Sequence, residues 1–160
     1  MLFSNGAIFV ELTKTIYNSD GTVDAIKYDS EGKKTKLSKH NNNTIKFITK
    51  YEYSQGNLIK ETEYKPDEQT INQIIEFNPR TGRRRNLVKY DPITNKCIKE
   101  IKYNPNGTVD CIIQYEYDNE GKLFKQTKFN DKEQKIEEIY HKPDGKNIDY
   151  NKKFNPETGK

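Results

Sequence analysis

The residues of this chain best equipped for chemistry are two histidines, two cysteines, five scattered serines and four arginines. Their spacing speaks against most of the reactions they could support. A metal centre needs convergent His, Cys or carboxylate ligands, and no His-x-His, Cys-x-x-Cys or His-Glu-x-x-His pattern is present. His40 and His141 stand where tyrosine stands elsewhere in the chain, so each is expected to be a half-buried flat ring. Ser4, Ser19, Ser30, Ser38 and Ser54 lie in or near turn signals, and no Gly-x-Ser-x-Gly elbow exposes any of them as a nucleophile. The Gly-Lys dipeptides at Gly32, Gly121, Gly145 and Gly159 lack the preceding glycine of a phosphate loop and read as turn endings. Acidic residues are many but similar from one stretch to the next. Paired carboxylates for glycoside chemistry would need a cleft holding them ~5–10 Å apart. The expectation here is outward-facing acids paired with lysines across strands. No catalytic residue, cofactor site or metal site is expected, and the chain is not expected to be an enzyme.

Two constellations remain. All the arginines, Arg80, Arg83, Arg84 and Arg85, fall in one short stretch. Such a stretch is either a solvated turn or a contact for an anion or partner, since guanidinium pairs bidentately with carboxylate and phosphate. The tyrosine pairs Tyr51/Tyr53 and Tyr115/Tyr117 read as rungs of an aromatic ladder, stabilising through cross-strand pairing. Any part left uncovered becomes a binding face, because Tyr and Arg are favoured at hot spots. These eight residues are the candidate partner contacts.

The elements that must position them are repeats. Tyr103-Asn-Pro-Asn-Gly-Thr-Val-Asp-Cys-Ile parallels Tyr17-Asn-Ser-Asp-Gly-Thr-Val-Asp-Ala-Ile, and Phe77-Asn-Pro-Arg-Thr-Gly-Arg parallels Phe154-Asn-Pro-Glu-Thr-Gly-Lys. Thirteen units each start at an anchor: Phe3, Tyr17, Tyr28, His40, Tyr53, Tyr64, Phe77, Tyr90, Tyr103, Tyr117, Phe129, His141 and Phe154. After most anchors comes a turn of the type Asn/Asp-Pro-x-(Thr)-Gly, in which Pro presets φ, Asn or Asp bonds its own backbone, and Gly supplies φ > 0. Pro92, Pro105 and Pro156 sit two residues past their anchors, and Gly82, Gly107, Gly121, Gly145 and Gly159 close their turns. Breakers at this density exclude long helices. The runs between turns alternate with period two. Val109, Cys111, Ile113, Tyr115 and Tyr117 are expected on one face, opposite Asp110, Ile112 and Gln114. Ile45, Phe47, Thr49, Tyr51 and Tyr53 are expected together, and likewise Ile71, Ile75 and Phe77. Ile98 is out of phase with Ile101 and Tyr103, which predicts a β-bulge.

One strand per unit predicts an all-β domain over residues 1–160: about 12 short antiparallel strands in an up-and-down meander. A sheet of that size is ~55–60 Å wide and twists by ~20–25° per strand. It should therefore form a twisted or coiled single sheet with a concave, partly self-buried Tyr/Ile face, or dimerise through that face. The alternative is a closed barrel. The ends, in turns at Phe3-Ser-Asn-Gly and Phe154-Asn-Pro-Glu-Thr-Gly-Lys, look uncapped for a repeat array. If the turn after Tyr103 is a simple hairpin, Cys97 opposes Gln114 and Cys111 opposes Glu100. That register puts the thiols on opposite faces and excludes a disulfide.

Composition bounds the rest. Hydrophobic residues make up only 31% and charged residues 32%, a balance that permits disorder. The 11 Tyr and 7 Phe at near-regular intervals argue for order instead. The net charge is +4 with signs interspersed, which allows anionic partners without demanding them and is low for a protein dedicated to nucleic acid. No apolar run is long enough for a transmembrane helix. The first residues lack the pattern of a secretory signal, so the expectation is a cytoplasmic protein, or a secreted or surface-exposed one whose signal segment has been removed.

The anchors and turns resemble an uncharacterised repeat family of phytoplasma proteins, a domain of unknown function, through the Tyr/Phe-Asn/Asp-Pro-x-Thr-Gly-Lys and Tyr-Asn-x-Asp/Asn-Gly-Thr-Val-Asp stretches. The resemblance covers essentially the whole chain. More distantly, Tyr117-Asp-Asn-Glu-Gly-Lys-Leu is similar to the YD repeat of large toxin shells and to MORN-type hairpin repeats, both antiparallel. The family brings no established activity to carry over. Its host-associated setting implies a protein partner, a host one included. The first expectation is thus a non-enzymatic protein–protein interaction module, a secreted or surface effector or adhesin of a host-associated bacterium. The alternatives are a shell segment of a larger YD-like toxin, and anion or nucleic-acid binding through the Arg80–Arg85 hairpin. Self-association through a sheet face or edge is also expected.

Overall fold

The computed structural model describes residues 12–158. They contain twelve strands: β1 (Leu12–Tyr17), β2 (Thr22–Tyr28), β3 (Lys34–Asn41), β4 (Thr44–Ser54), β5 (Asn57–Tyr64), β6 (Ile71–Phe77), β7 (Arg84–Tyr90), β8 (Cys97–Tyr103), β9 (Val109–Tyr117), β10 (Leu123–Phe129), β11 (Lys135–His141) and β12 (Ile148–Lys153). They lie in one antiparallel sheet in sequence order, the expected meander. The anchor Phe3 and its turn, Ser4 and Gly159 lie outside the described residues.

Most turns are built as their sequences predict. Asp29, Asp67, Asn78, Asp91, Asp118, Asn130 and Asp144 accept backbone N–H bonds from residues two to four positions ahead through their own side-chain oxygens. Where glycine is missing from the closing position, Glu68, Asn95 and Glu133 adopt the left-handed conformation, with φ of 58°, 56° and 58°.

The anchors mark more than the chain reversals. In ten of the eleven hairpins, two residues of the returning strand face the single anchor, so each anchor sits opposite a β-bulge. Tyr90 pairs with Cys97 while Lys89 pairs with Lys99, which leaves Ile98 as the extra residue that its phase predicts. The bulge is the rule, however, and not the exception that Ile98 alone suggests. Only β1–β2 keeps a regular register.

The bulges correct several face assignments. Directly paired residues and alternate residues share a face. The pairs Tyr51–Glu61, Glu61–Ile75, Ile75–Leu87, Leu87–Ile101, Ile101–Ile112 and Ile112–Phe129 therefore define a first face. On it lie the anchors Tyr28, Tyr53, Phe77, Tyr103 and Phe129, at one rim of the sheet. The anchors Tyr17, His40, Tyr64, Tyr90, Tyr117 and His141 lie at the other rim, on the second face. Ile45 pairs with His40 and Ile71 with Tyr64 on the second face, away from Phe47, Thr49 and Ile75. Val109 pairs with Tyr103 on the first face, away from Cys111. The two cysteines share the second face, contrary to the simple-hairpin register. Cys97 pairs with Tyr90 and Cys111 with Lys102, four strand positions further on, and both are free thiols.

The sheet does not close into a barrel. β1 and β12 share no pairing, and every strand touches only its chain neighbours. The pairing accounts for this. A row of partners crosses all twelve strands, Lys14–Ile26–Leu37–Thr49–Glu63–Gln73–Lys89–Lys99–Gln114–Thr127–Glu138–Lys152. It starts three residues before the anchor Tyr17 and, at β11, is again three residues before the anchor His141. Bulges at the two rims thus offset one another, whereas a barrel requires a stagger that accumulates.

With no second layer, burial comes from neighbours within the sheet. Ile26, Ile75, Leu87 and Ile112 are buried on the first face, and Ile48 and Cys111 on the second. The acids are less uniformly outward than expected: Glu138 is buried, bonded by Lys135 at 3.0 Å and by the Tyr140 hydroxyl at 3.1 Å. Cross-strand pairs such as Lys60–Glu52 at 2.7 Å and Lys125–Glu116 at 2.9 Å are present as expected.

Candidate functional site

Successive turns on one rim are two strands apart, a gap of ~10 Å. That gap is bridged by cations. On the rim of Tyr64, Tyr90 and Tyr117, Lys65 Nζ donates to the Pro92 carbonyl at 3.0 Å and Lys96 Nζ to the Gly121 carbonyl at 2.5 Å; on the rim of Phe77 and Tyr103, Arg83 Nη1 donates to the Pro105 carbonyl at 3.2 Å. A side chain on Gly121, which has φ +78°, would meet the Lys96 ammonium. Beside these bridges open grooves that the anchors floor.

The first groove, of about 480 Å³, lies between the β7–β8 and β9–β10 turns. Its lining includes Ile98, Tyr115, Tyr117, Lys96 and the acids Asp91, Asp118 and Glu120. The Tyr117 hydroxyl donates to the Cys97 carbonyl at 2.7 Å, closing the neighbouring bulge, and Lys96 Nζ lies 5.1 Å from its ring centre. The Tyr115 hydroxyl donates to the Glu100 carboxylate at 2.8 Å, which also accepts from Asn86 Nδ2 at 3.0 Å. Burial first, and then that carboxylate, push the Tyr115 pKa up; burial does the same to Tyr117. Both phenols therefore hold their protons in the physiological range. Close by on the same rim, three large apolar residues face solvent: Ile93 at the crest of the β7–β8 turn, 91% exposed, and the bulge residues Ile98 and Phe124, each 39% exposed.

The second groove, of about 300 Å³, lies on the opposite rim between the β6–β7 and β8–β9 turns, lined by Asn78, Thr81, Arg83, Arg84, Arg85, Tyr103, Asn104 and Pro105. Three of the four arginines thus converge. Arg80 stands in the same turn, its N–H held by Asn78 Oδ1 at 2.8 Å, but does not line the groove.

The candidate tyrosines do not form one ladder. Tyr51 and Tyr53 are on the first face, while Tyr115 and Tyr117 are on the second, because Tyr115 lies an odd number of residues from Ile112. Tyr53 repeats the closing bond of Tyr117, donating to the Lys34 carbonyl at 3.0 Å. Tyr51 lies under Lys34 Nζ, 5.0 Å from its ring centre, and its pKa is pushed up to about 12 by burial and then by Glu61. Neither lines either groove. The sequence marks Tyr103 as an anchor but not as a contact residue, and it does not mark Asn104 or the lysine bridges. The signal for the bridges is a cation at a turn boundary, opening the turn at Lys65 and closing it at Arg83 and Lys96.

His40 and His141 are half-buried anchors as expected, and the His141 ring bonds Gln126 Nε2 through Nε2 at 3.0 Å. Among the described residues no group of three His, Cys, Asp or Glu is placed to hold a metal ion, and no helix is long and apolar enough to cross a membrane.

No curated protein sequence matches the chain. Among solved structures, the crystal structure of TarM is 16% identical over 70% of this chain and 20% of that one, with a TM-score of 0.38. The crystal structure of TcdB2-TccC3-Cdc42 is 14% identical over 91% of this chain and 10% of that one, also with a TM-score of 0.38. A protein with unknown function from Bacteroides fragilis is 12% identical over 93% and 94% of the two chains, with a TM-score of 0.24. The chain spans only a tenth to a fifth of the length of the first two. The repeat units themselves match the family described as "Protein of unknown function (DUF2963)" three times, over residues 38–89, 85–128 and 128–160, and the chain belongs to that family.

Proposed function

We propose that the chain is a non-enzymatic protein-interaction module, presented by a host-associated bacterium, whose partner seats on the rim that carries Tyr115 and Tyr117. The observation that supports this most is the exposure of Ile93, Ile98 and Phe124 beside a groove walled by two tyrosines. In a chain with 31% hydrophobic residues, apolar side chains left in water on adjoining hairpins are informative. Protein interfaces centre on such apolar and aromatic anchors within a polar border, and Asp91, Asp118, Glu120 and Lys96 supply that border. The single-layer sheet supports the reading too, because it spreads the area of the chain into an extended surface, as other repeat proteins do.

The test is retention of host proteins by the immobilised chain, compared with the triple variant Ile93→Asp, Ile98→Asp, Phe124→Asp and with Arg83→Gln, Arg84→Gln, Arg85→Gln. All six positions are exposed, so both variants should keep the parent circular dichroism. The expected result is a partner held by the parent and by the arginine variant and lost from the apolar variant. Equal retention by all three, or by none, sinks the proposal.

A further inference from the structure

Arginine is the better partner for a carboxylate, yet this chain, with 24 acids, pairs every one of its described ion pairs through lysine. Among the described residues no guanidinium is in an ion pair. Arg84 acts electrostatically on Glu61, which stands two strands away. Burial raises its pKa and Arg84 lowers it again, but the two groups are not in contact. The groove that Arg83, Arg84 and Arg85 line contains no carboxylate, whereas the groove on the opposite rim contains three. The arginines are therefore concentrated and, among the described residues, not paired with a carboxylate.

Their arrangement follows from the hairpin. Consecutive residues of a regular strand point to opposite faces. Here Phe77 pairs with Arg84 while Glu76 pairs with Asn86, so Arg85 is the extra residue of a bulge, and the bulge re-aims it. Arg83 reaches across to the Pro105 carbonyl at 3.2 Å, using one of its N–H groups and leaving the rest of its fork free. The Tyr103 ring, the anchor of the next hairpin on this rim, forms part of the wall.

We propose that this groove binds a phosphoryl dianion carried by a small phosphomonoester or a lipid headgroup. A carboxylate has two oxygens and is satisfied by one guanidinium fork. A phosphoryl group brings three terminal oxygens and a charge of roughly −1.5 to −2, enough for several forks at once. Three guanidiniums from consecutive residues around one small groove suit the second. The net charge of +4, with the remaining cations dispersed among acids, favours a single compact anion over the length of a nucleic-acid backbone. The site is independent of the partner surface proposed above, which lies on the opposite rim, so either can fail alone.

The experiment is titration calorimetry of the full chain with inorganic phosphate, phenyl phosphate and benzoate, alongside sedimentation with phosphatidylcholine vesicles with and without phosphatidic acid. The expected result is one saturable site for both phosphates, with benzoate weaker by about tenfold or more, and loss of about tenfold in affinity in Arg84→Gln, Arg85→Gln. Binding should strengthen between pH ~5 and ~7.5 as the phosphoryl group loses its second proton near pH ~6. Co-sedimentation that depends on phosphatidic acid would assign the headgroup source, and its absence beside phenyl phosphate binding would assign the soluble one; both support the site. Absence of saturable phosphate binding, benzoate binding as tightly as phosphate, or a folded variant that binds like the parent overturns it.

Discussion

A tyrosine at the anchor position does two things, and only one of them is packing. Its ring covers the neighbouring hairpin, while its hydroxyl, in Tyr53 and Tyr117, closes the bulge carbonyl of the preceding strand on that rim. Tyr117→Phe keeps the ring and removes the bond, so it should lower unfolding free energy by about 1 kcal/mol in urea titrations. Tyr64 or Tyr90, for which no hydroxyl bond is seen, should tolerate phenylalanine better. The turn aspartates carry the pH dependence. Asp144 accepts backbone N–H bonds from Lys146 and Asn147 and a side-chain bond from Asn147, which hold its pKa down to about 2. A depressed carboxylate contributes stability that is present above its unfolded value of about 3.9 and lost as the pH falls through the folded value. Asp67 and Asp91 are lowered in the same way by bonds from Thr70 and Thr94. Urea midpoints should therefore fall between pH ~4 and ~2, and fall less in Asp144→Asn, because Asn78 and Asn130 fill the same role without titrating. Glu61 works in the opposite sense: its pKa is raised by burial, so protonating it on acidification favours the folded state.

At the scale of the element, the bulge decides which residues meet. A one-residue slip moves an entire strand's side chains to the other face. Asp110 is exposed and polar, so composition marks it as dispensable. Register marks it as the extra residue between Val109 and Cys111. Deleting Asp110 should therefore cost far more than deleting Asn119 from the neighbouring turn, with amide-exchange protection lost in β8 and β9. If the deletion leaves protection intact, the bulge does not set the register. The same device explains why period-two reasoning succeeded within strands and failed across turns. Tyr51 and Tyr53 were correctly placed together, as were Tyr115 and Tyr117. Ile45, Ile71 and Val109 were misplaced because each stands on the turn side of a bulge, where the phase of the strand changes. Ile98 was the visible case, since an isoleucine out of phase is conspicuous, whereas Lys46, Asn72 and Asp110 at equivalent positions are polar and leave no such trace.

Over the whole molecule, an open single layer makes a statement about shape. Twelve strands at ~4.8 Å spacing extend over ~55 Å, so scattering should give a maximum dimension at or above that length and a radius of gyration above the ~15 Å of a compact chain of this size. A radius near ~15 Å would mean that the sheet closes in solution. The amino-acid sequence alone determined the number of strands, their order and the chemistry of most turns, because these depend on local signals: a ring, an Asn or Asp, a Pro, a Gly. It also marked the arginine hairpin as the outlier of charge. The tertiary structure decided that rings at successive turns occupy opposite faces, that the sheet stays open, and that Arg83, Arg84 and Arg85 meet Tyr103 in one groove while Tyr115 and Tyr117 face another. These outcomes rest on the backbone slip at each bulge and on how that slip adds or cancels across twelve strands, a geometric sum that no single residue type announces.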